Sequence, residues 1–507
     1  MSAVTDRLNV IRRAYGHRGE ARAGTDVSFI VYAVLLVLLI VAFPVIRTIV
    51  ILLAEPAILS VLQAPGASRV VSVVCGLLLA GVSWIGRVRG PVNLSPFFVT
   101  LLARTDMPRS RALLRALVTS TLVAAGAVLA VSVLIGGVLV FAGSAPLIGG
   151  IGFLVACSAF AVIGCVLWLA GQHPGRHPWV LPIALVALTS LTALIEPLMV
   201  FAPWGWVGMS WPATETPSFV PAILLTVTAV VASLFVPRLL NSLKSQPLLE
   251  QGERWQSAAT AAITGDVATA LGGFRARPTI GRTWVAVTAE NLVVRFLIRD
   301  LLGTLRTPGR FLAASVFLIL SCTLSALAFI ADPLPAWLPA AAGSATGFLA
   351  LGVFSDGFRH AAEAAGAPPL YGYTTARLYL LHAILPATAG VAATLAGGII
   401  AVALGAPIMS AGAVGLVVLL QVLVRAYDSA KGPLPLVLLT TPVPSPVGDP
   451  TILMVLAWQA DGLLIGTIGG AITISLTAAG ASLNAAAVAA AVIGGLLILL
   501  KRRLRAL

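Results

Sequence analysis

The chain has few charged residues for its length. Only 10% of its 507 residues are Asp, Glu, Lys or Arg, whereas a soluble protein carries about 25%. Hydrophobic residues make up 59% of the sequence, and runs of 18 or more residues without a charge recur along it. Such runs are typical of membrane-spanning helices. The composition argues against a soluble globular protein and predicts an all-α, polytopic membrane protein.

Cysteine is also scarce. The chain has 4 cysteines, and all of them lie within apolar runs, where a free cysteine usually acts as a small buried hydrophobic residue. We therefore expect no disulfide. We also expect no metal site, because His173 and His177 are each followed by proline and have no third ligand nearby.

The sequence lacks the common catalytic motifs. It contains no G-x-x-x-x-G-K-[ST] phosphate loop, no H-E-x-x-H and no G-x-S-x-G. The chain therefore has no recognisable nucleotide-phosphate site or hydrolytic site of its own; this does not exclude an enzyme, but nothing in the sequence argues for one. We expect a chain that is not itself an enzyme and that binds no cofactor of its own.

Hydropathy divides the chain into about twelve transmembrane helices. They are predicted at 28–53, 69–86, 114–142, 147–171, 179–201, 218–237, 311–331, 336–354, 379–403, 408–424, 451–478 and 484–500. The predicted domains are a cytoplasmic N-terminal segment (1–27), a first six-span domain (28–237), a cytoplasmic linker (238–310), a second six-span domain (311–500) and a basic tail (501–507).

The basic residues set the expected orientation. If the N-terminus is cytoplasmic and the chain alternates across twelve spans, 30 of the 32 Lys and Arg residues fall on the inner side. The positive-inside rule therefore supports this orientation, with both termini in the cytoplasm. The formal net charge of +14 follows from this orientation, and we expect the lipid bilayer, not nucleic acid, as its counterpart.

Two polar interruptions suggest an internal duplication. The segment from Gly90 to Val118 follows the second predicted span, and a similar segment from Gly357 to Pro386 follows the eighth. The starting glycines are related by an offset of 267 in the numbering, and each segment runs into the next span. Because six spans precede the second copy, the two six-helix halves are expected to be parallel repeats.

Two further segments allow structural predictions. Apolar residues at helical spacing between Trp284 and Arg310 predict an amphipathic helix at the inner membrane interface or, as an alternative, an ordinary linker helix. Trp204, Trp206 and Trp211 cluster in one outer loop. We expect an interfacial aromatic belt there in preference to a partly re-entrant segment.

The chain resembles the actinobacterial ABC-transporter permease-like proteins, whose layout is that of ABC-2-type exporters. The resemblance depends on "PRSRALLR" (108–115), "RLYLLHAILP" (377–386) and "KGPLPLVLLTTPVPSPVGDP" (431–450). It implies two fused six-span permease domains driven by two separate ABC ATPase subunits, identical or different, which would hold the ATP and Mg²⁺. The absent phosphate loop is consistent with that division.

The resemblance also implies coupling segments that dock on the ATPases, here 94–115 and 358–378. The residues expected to contact the first ATPase are Arg104, Asp106, Arg109, Arg111 and Arg115. Those expected to contact the second are Arg359, Tyr371, Tyr373 and Arg377. The alternative is that these are solvated loops, basic only through the positive-inside rule.

A charge within the membrane is costly and usually faces a cavity or a partner. Asp461 and Glu196 are therefore the residues expected on a translocation path, which the resemblance places among spans two and five of each half. An apolar path would suit export of an amphiphilic or lipid-like cargo. The alternatives are a secondary carrier of major-facilitator type, which also has parallel repeats, and a non-transporting scaffold or degenerate permease.

Overall fold

The computed structural model describes residues 31–32, 35, 38–105, 107–173, 179–214, 218–263, 278, 280–281, 283–285, 289–365, 372–432, 434–435 and 451–506. All regular secondary structure within these residues is helical. The predicted N-terminal segment 1–27, Asp106, Tyr371 and the segment 436–450 lie outside the described residues.

The chain forms two compact units, Met1–Ser257 and Ala258–Leu507. After a short π-helix (Leu38–Ala42), the helices of the first unit are α1 (Phe43–Leu53), α2 (Pro56–Gln63), α3 (Ala67–Ile85), α4 (Pro96–Ala103), α5 (Arg109–Phe141), α6 (Leu147–Gly171), α7 (Val180–Leu194), a 3₁₀ turn (Glu196–Phe201), α8 (Pro203–Met209), α9 (Val220–Leu234), α10 (Val236–Ser242) and α11 (Ser245–Ile263), in which the division falls.

The second unit has a similar series of helices. They are α12 (Leu292–Leu305), α13 (Pro308–Leu327), a 3₁₀ turn (Ala328–Ile330), α14 (Trp337–Phe354), α15 (Asp356–Ala364), α16 (Thr375–His382), α17 (Ile384–Ala403), α18 (Ser410–Ser429), α19 (Thr451–Ala478) and α20 (Ser482–Ala506).

Ten helices of the described chain are long and apolar enough to cross a membrane. They span Ala67–Ile85, Arg109–Phe141, Leu147–Gly171, Val220–Ser242, Pro308–Ile330, Trp337–Phe354, Thr375–Ala403, Ser410–Ser429, Met454–Ala478 and Ser482–Arg505. This confirms the prediction of an all-α, multi-pass membrane protein.

The first and fifth predicted spans differ from simple transmembrane helices. Helices α1 and α2 together are apolar enough to span a membrane, but they are bent by 70° at Pro56. Helix α7 has 15 residues, fewer than the roughly 20 that cross a bilayer. It ends before Pro197 and continues as the 3₁₀ turn and α8. In both places proline removes a backbone donor and disfavours a straight helix.

The same five kinds of helix pair pack in each unit. In the first unit α1 packs on α5, α3 packs on α6 and α7, and α6 packs on α5 and α9. In the second unit α13 packs on α17, α14 packs on α18 and α19, and α18 packs on α17 and α20. Adding the offset of 267 to the residue numbers brings each helix of the first set onto its counterpart in the second.

The tryptophan segment contradicts the expected aromatic belt. Trp204 and Trp211 are only 5% and 4% exposed, and α8 packs against α3 and α6. Gly208 allows this, because a Cβ there would lie 2.2 Å from the carbonyl oxygen of Ser68 on α3. The close backbone approach turns the indole rings inward, where the Nε1 of Trp204 donates to Thr192 Oγ1 at 3.0 Å.

The predicted linker 238–310 contains packed helices at both ends. Leu240, Leu243 and Leu248, on α10 and at the start of α11, join a buried cluster of the first unit. Helix α12 lies where the amphipathic helix is predicted, and Leu297 and Leu301 pack against the core of the second unit. Asn291 begins α12, since its side-chain oxygen accepts from the N–H of Val293 at 2.9 Å.

Candidate functional site

Buried glutamines hold the polar loop that follows α3. Gln172 is 4% exposed, and its Nε2 donates to the carbonyl oxygen of Val92 and to Gln251 Oε1, each at 2.9 Å. The Nε2 of Gln251 in turn donates to the carbonyl oxygen of Arg87 at 3.2 Å. These bonds satisfy loop backbone groups that have no helix partner, and so they fix the conformation of the loop.

Gly90 lies at the point where this loop crosses the glutamine pair. A Cβ at this position would lie 1.8 Å from Cδ of Gln172. This is far inside van der Waals contact, so no residue with a Cβ fits here unless Gln172 moves. The loop therefore depends on glycine for close approach, and not for a special backbone angle. Upstream, the Arg87 guanidinium stacks over Trp179 at 3.9 Å, and burial lowers its pKa.

Helix α4 and the start of α5 form the first predicted coupling segment. Ser95 caps α4, its Oγ accepting from the N–H of Phe98 at 3.4 Å, and Pro96 occupies the first helical position. Val99 and Leu102 are buried in the cluster that includes Leu248. One face of α4 is thus anchored to the first unit, which leaves the other face exposed.

The four described arginines of this segment divide into two groups. Arg109 donates from Nη2 to Ser245 Oγ at 2.9 Å, so it supports packing within the unit. Arg104, Arg111 and Arg115 are exposed, and within the described chain their side chains make no hydrogen bond or ion pair. We call these three residues the free arginines. Their guanidinium groups are available to an acidic surface.

The second predicted coupling segment consists of α15, α16 and the chain between them. Arg359 pairs with Glu363 one turn away at 2.7 Å. Arg377 is exposed and lies over the ring of Tyr373 at 4.7 Å. The positive charge that is free in the first unit is therefore partly engaged here. Tyr371 and Asp106 were predicted as coupling residues, but both lie outside the described residues.

A buried acid–histidine pair anchors the second segment. His382 Nδ1 and Asp300 Oδ2 are 2.6 Å apart, and their side chains are 3% and 8% exposed. A Cβ on Gly357 would lie 2.3 Å from His382 Nδ1, so glycine is again needed where the chain passes a buried polar group. The pair joins α12 to α16, while an ion pair between Arg310 and Asp356 at 2.7 Å joins α13 to α15.

Five charged residues of the second unit form one network. Lys431 Nζ contacts Asp428 Oδ1 at 2.6 Å and also pairs with Asp461. Arg425 pairs with Asp428 at 3.7 Å, and Arg503 pairs with Asp461 at 3.3 Å. We call Arg425, Asp428, Lys431, Asp461 and Arg503 the five-charge cluster. With three cations and two carboxylates, it has one formal positive charge in excess.

Additional hydrogen bonds tie the cluster to four helices. Arg425 Nε donates to the carbonyl oxygen of Phe348 on α14 at 2.8 Å. Tyr427 OH donates to Asp461 Oδ2 at 3.1 Å and accepts from Arg503 Nη2 at 2.8 Å. The network therefore joins α14, α18, α19 and α20 at one end of the unit.

The two residues predicted on a translocation path lie in different surroundings. Asp461 is ten residues from the start of α19, but its partners Lys431 and Arg503 lie at the ends of α18 and α20. Along the helix axes, Asp461 therefore lies at the height of the ends of α18 and α20 and not at the height of their centres. Glu196 is 64% exposed and pairs with Arg69. No contact described here tests either residue's role on a path.

Sequence analysis missed several of these polar residues. Gln172, Gln251, Asp300 and His382 were not singled out, although each is a polar residue beside an apolar stretch. Lys431 and Arg503 were counted only as topogenic charges. Their pairing with Asp461 follows from the packing of α18, α19 and α20, which the hydropathy pattern does not encode.

Within the described ranges, no group of three or more His, Cys, Asp or Glu side chains could hold a metal ion. In comparisons with known proteins, no family model, curated protein or solved structure matches the chain.

Proposed function

We propose that the chain is the membrane subunit of an ABC-type exporter, in which two separate ATPase subunits dock on 94–115 and 358–378. The carrying observation is the set of three free arginines beside a short capped helix that is anchored on one face: Arg104 follows α4, and Arg111 and Arg115 lie at the start of α5. Arginine forks suit carboxylate-rich docking surfaces, and rigid anchoring is what a segment needs to transmit movement. ATP and Mg²⁺ would belong to the partner subunits.

The proposed arrangement has twelve spans in two parallel six-helix repeats. The five kinds of packed helix pair that the two units share support this duplication, as do the two glycines at an offset of 267 that each lie against a buried polar group. The bent pair α1–α2 would be the first span, and α7 with the 3₁₀ turn and α8 the fifth. The positive-inside rule favours both termini in the cytoplasm, and the resemblance to actinobacterial permease-like proteins implies a bacterial plasma membrane.

An amphiphilic or lipid-like molecule is the proposed cargo, because the spans are dominated by apolar side chains. Asp461 and Glu196 remain the proposed charged residues of the path. The ion pairs of Asp461 support a structural contribution as well, since a partnered carboxylate is tolerated near a membrane where an isolated one is costly.

Purification of the tagged chain from its own membranes in mild detergent tests the proposal. Native mass spectrometry is expected to show the chain with two ATPase subunits, and this complex is expected to hydrolyse ATP. The chain alone is expected to hydrolyse none, because its sequence lacks the phosphate loop. ATP turnover by the isolated chain, or recovery without any ATPase under conditions that preserve the fold, would contradict it.

The five-charge cluster favours one second candidate, a secondary carrier of major-facilitator type. Carboxylates among cations in a helix bundle are typical of proton relays. The two candidates differ in their energy source. In vesicles that contain only the purified chain, a carrier would move cargo in response to a proton gradient, whereas the proposed permease would require the ATPases and ATP.

A further inference from the structure

An apolar groove lies on the second unit between α14 and α19. It has a volume of about 500 Å³ and is lined by Trp337, Ala341, Thr467, Ile468, Ala471, Ile472, Ser475 and Leu476. Both helices are long and apolar enough to span a membrane. A groove in their side therefore opens to the hydrocarbon of a bilayer unless another molecule covers it.

The groove lies at the end of α14 and α19 remote from the five-charge cluster. Trp337 begins α14, whereas Arg425 bonds the same helix at Phe348, eleven residues on. At 1.5 Å per residue this separation is about 16 Å along the axis. A charged headgroup held by the cluster is therefore not the natural occupant, and the occupant must match the apolar walls.

The lining residues offer few free hydrogen-bonding groups to water. Ser475 Oγ already donates to the carbonyl oxygen of Ala471 at 2.7 Å. Thr467 Oγ1 is buried without a hydrogen-bond partner, and it is the only such side-chain atom among the lining residues. An ordered water needs about two to four polar partners. The groove is thus roomy enough for several waters but lacks the groups to hold them.

The first unit has a much larger side chain at the position that aligns with the groove. The offset of 267 that aligns Gly90 with Gly357 also aligns Trp204 with Ala471. Trp204 is 5% exposed and packs in the core of its unit, with its Nε1 bonded to Thr192. A large indole in one half thus corresponds in sequence to a methyl group in the other.

We propose that this groove binds one acyl chain of a bilayer phospholipid. The apolar walls provide dispersion contacts and exclude water, and both properties favour an alkyl chain as the occupant. This inference does not depend on the ATPases, because it concerns the purified chain in a bilayer.

The test uses the whole chain in vesicles of phosphatidylethanolamine and phosphatidylglycerol. A fraction of the lipid carries a photoreactive diazirine within one acyl chain, and labelled peptides are identified by mass spectrometry after illumination. We expect labelling concentrated on 467–476 and on the first turns of α14. A wild-type chain without labelling there, or with protein–protein crosslinks in its place, would show that another molecule covers the groove and would overturn the proposal.

Filling the groove provides the decisive variant. Ala471→Trp introduces the side chain that the first unit has at the aligned position, Trp204. It is expected to lower groove labelling by about tenfold or more, since the affinity falls roughly fourfold for each methylene group of the acyl chain that is excluded. Leu464→Trp is the matched control, because Leu464 is 47% exposed on the same helix and does not line the groove. Its labelling at the groove should equal that of the wild type.

Two further variants keep the test decisive. Ala471→Leu gives a smaller obstruction if the indole prevents folding, and labelling should then fall to a value between those of Ala and Trp. Thr467→Val removes the unpartnered hydroxyl and should leave labelling unchanged, because an alkyl chain makes no hydrogen bond to it. If folded Ala471→Leu is labelled as strongly as the wild type, or if Thr467→Val loses its labelling, the acyl-chain assignment is overturned.

Discussion

Two glycines determine how the polar loops pass their buried neighbours. Replacing Gly90 with Ala would place a methyl group 1.8 Å from Gln172 Cδ, and in Gly357→Ala the methyl group would lie 2.3 Å from His382 Nδ1. We expect each substitution to lower the free energy of unfolding by about 1–3 kcal/mol, since overpacking a filled site forces its neighbours to move. Thermal unfolding in detergent measures the effect.

Gly126→Ala is the control for this prediction. Gly126 lies in α5, and nothing lies within 4 Å of a Cβ at that position. Alanine there should leave stability unchanged or raise it by up to about 1 kcal/mol, because it restricts the unfolded chain and favours the helix. Equal melting temperatures for all three variants would show that the loops adapt without cost.

Asp461 gives a second prediction for a single residue. Asp461→Asn removes one of the two carboxylates that balance three cations. We expect a loss of about 1–3 kcal/mol, which is less than for a fully buried pair because the Asp461 side chain keeps 22% exposure. Glu196→Gln breaks a pair with 64% exposure at the glutamate and should cost about 0–1 kcal/mol.

The two carboxylate variants also separate structure from transport. If Asp461 acts only through its ion pairs, Asp461→Asn should lower the melting temperature while cargo-stimulated ATPase activity per folded molecule stays the same. A normal melting temperature with reduced cargo stimulation would contradict that structural account and place Asp461 on the path.

The sequence identified Asp461 as unusual because a charge in an apolar run is costly. It did not identify the partners, because Lys431 and Arg503 follow other helices or lie on them, far from Asp461 in the chain. The same holds for Asp300 and His382, which are brought together by the contact of α12 with α16. Pairing across helices depends on their rotation and depth, and composition fixes neither.

At the scale of the elements, α4 and the start of α5 carry the proposed coupling function. The double variant Arg104→Glu/Arg111→Glu reverses two free arginines and should weaken ATPase binding by about 2 kcal/mol, close to thirtyfold in affinity. Titration of the reconstituted chain with the ATPase, followed by its hydrolysis rate, measures the change.

Arg109→Gln provides the comparison. Arg109 donates to Ser245 within the unit, so its loss should affect thermal stability more than ATPase affinity. If Arg104→Glu/Arg111→Glu inserts normally and binds the ATPase with unchanged affinity, the segment 94–115 is not a docking element and its arginines serve only membrane orientation.

Most helices were predictable from hydropathy, because an unbroken apolar run has one stable form in a bilayer. The predicted first and fifth spans were exceptions, and the fifth shows the reason most clearly. Its run is long enough, yet α7 ends at Leu194 and α8 turns back toward α3. Pro197 and Pro203 disfavour a straight continuation, and Gly208 permits the close contact that buries Trp204 and Trp211. Hydropathy averaged over a window of residues does not show such a helix break or such a close contact.

At the scale of the molecule, the constant offset between the two halves is the most informative sequence feature. Few residues are identical between the two polar segments, yet the offset maps helix onto helix in both units. The same offset pairs Gly90 with Gly357 and Trp204 with Ala471. The proposed duplication would preserve helix order and neighbour pairs more strongly than side chains, because core packing tolerates substitution when volume and pattern are kept.

The central claim is that both polar segments dock on ATPase subunits. A photoreactive amino acid at exposed Thr100 in α4, and separately at exposed Ala376 in α16, tests this in native membranes, with Phe141, 93% exposed at the far end of α5, as the control. The account predicts crosslinks from Thr100 and Ala376 to a subunit that contains an ATP-binding phosphate loop, and none from Phe141. Crosslinks to lipid alone at Thr100 and Ala376, or an ATPase crosslink from Phe141, would contradict it.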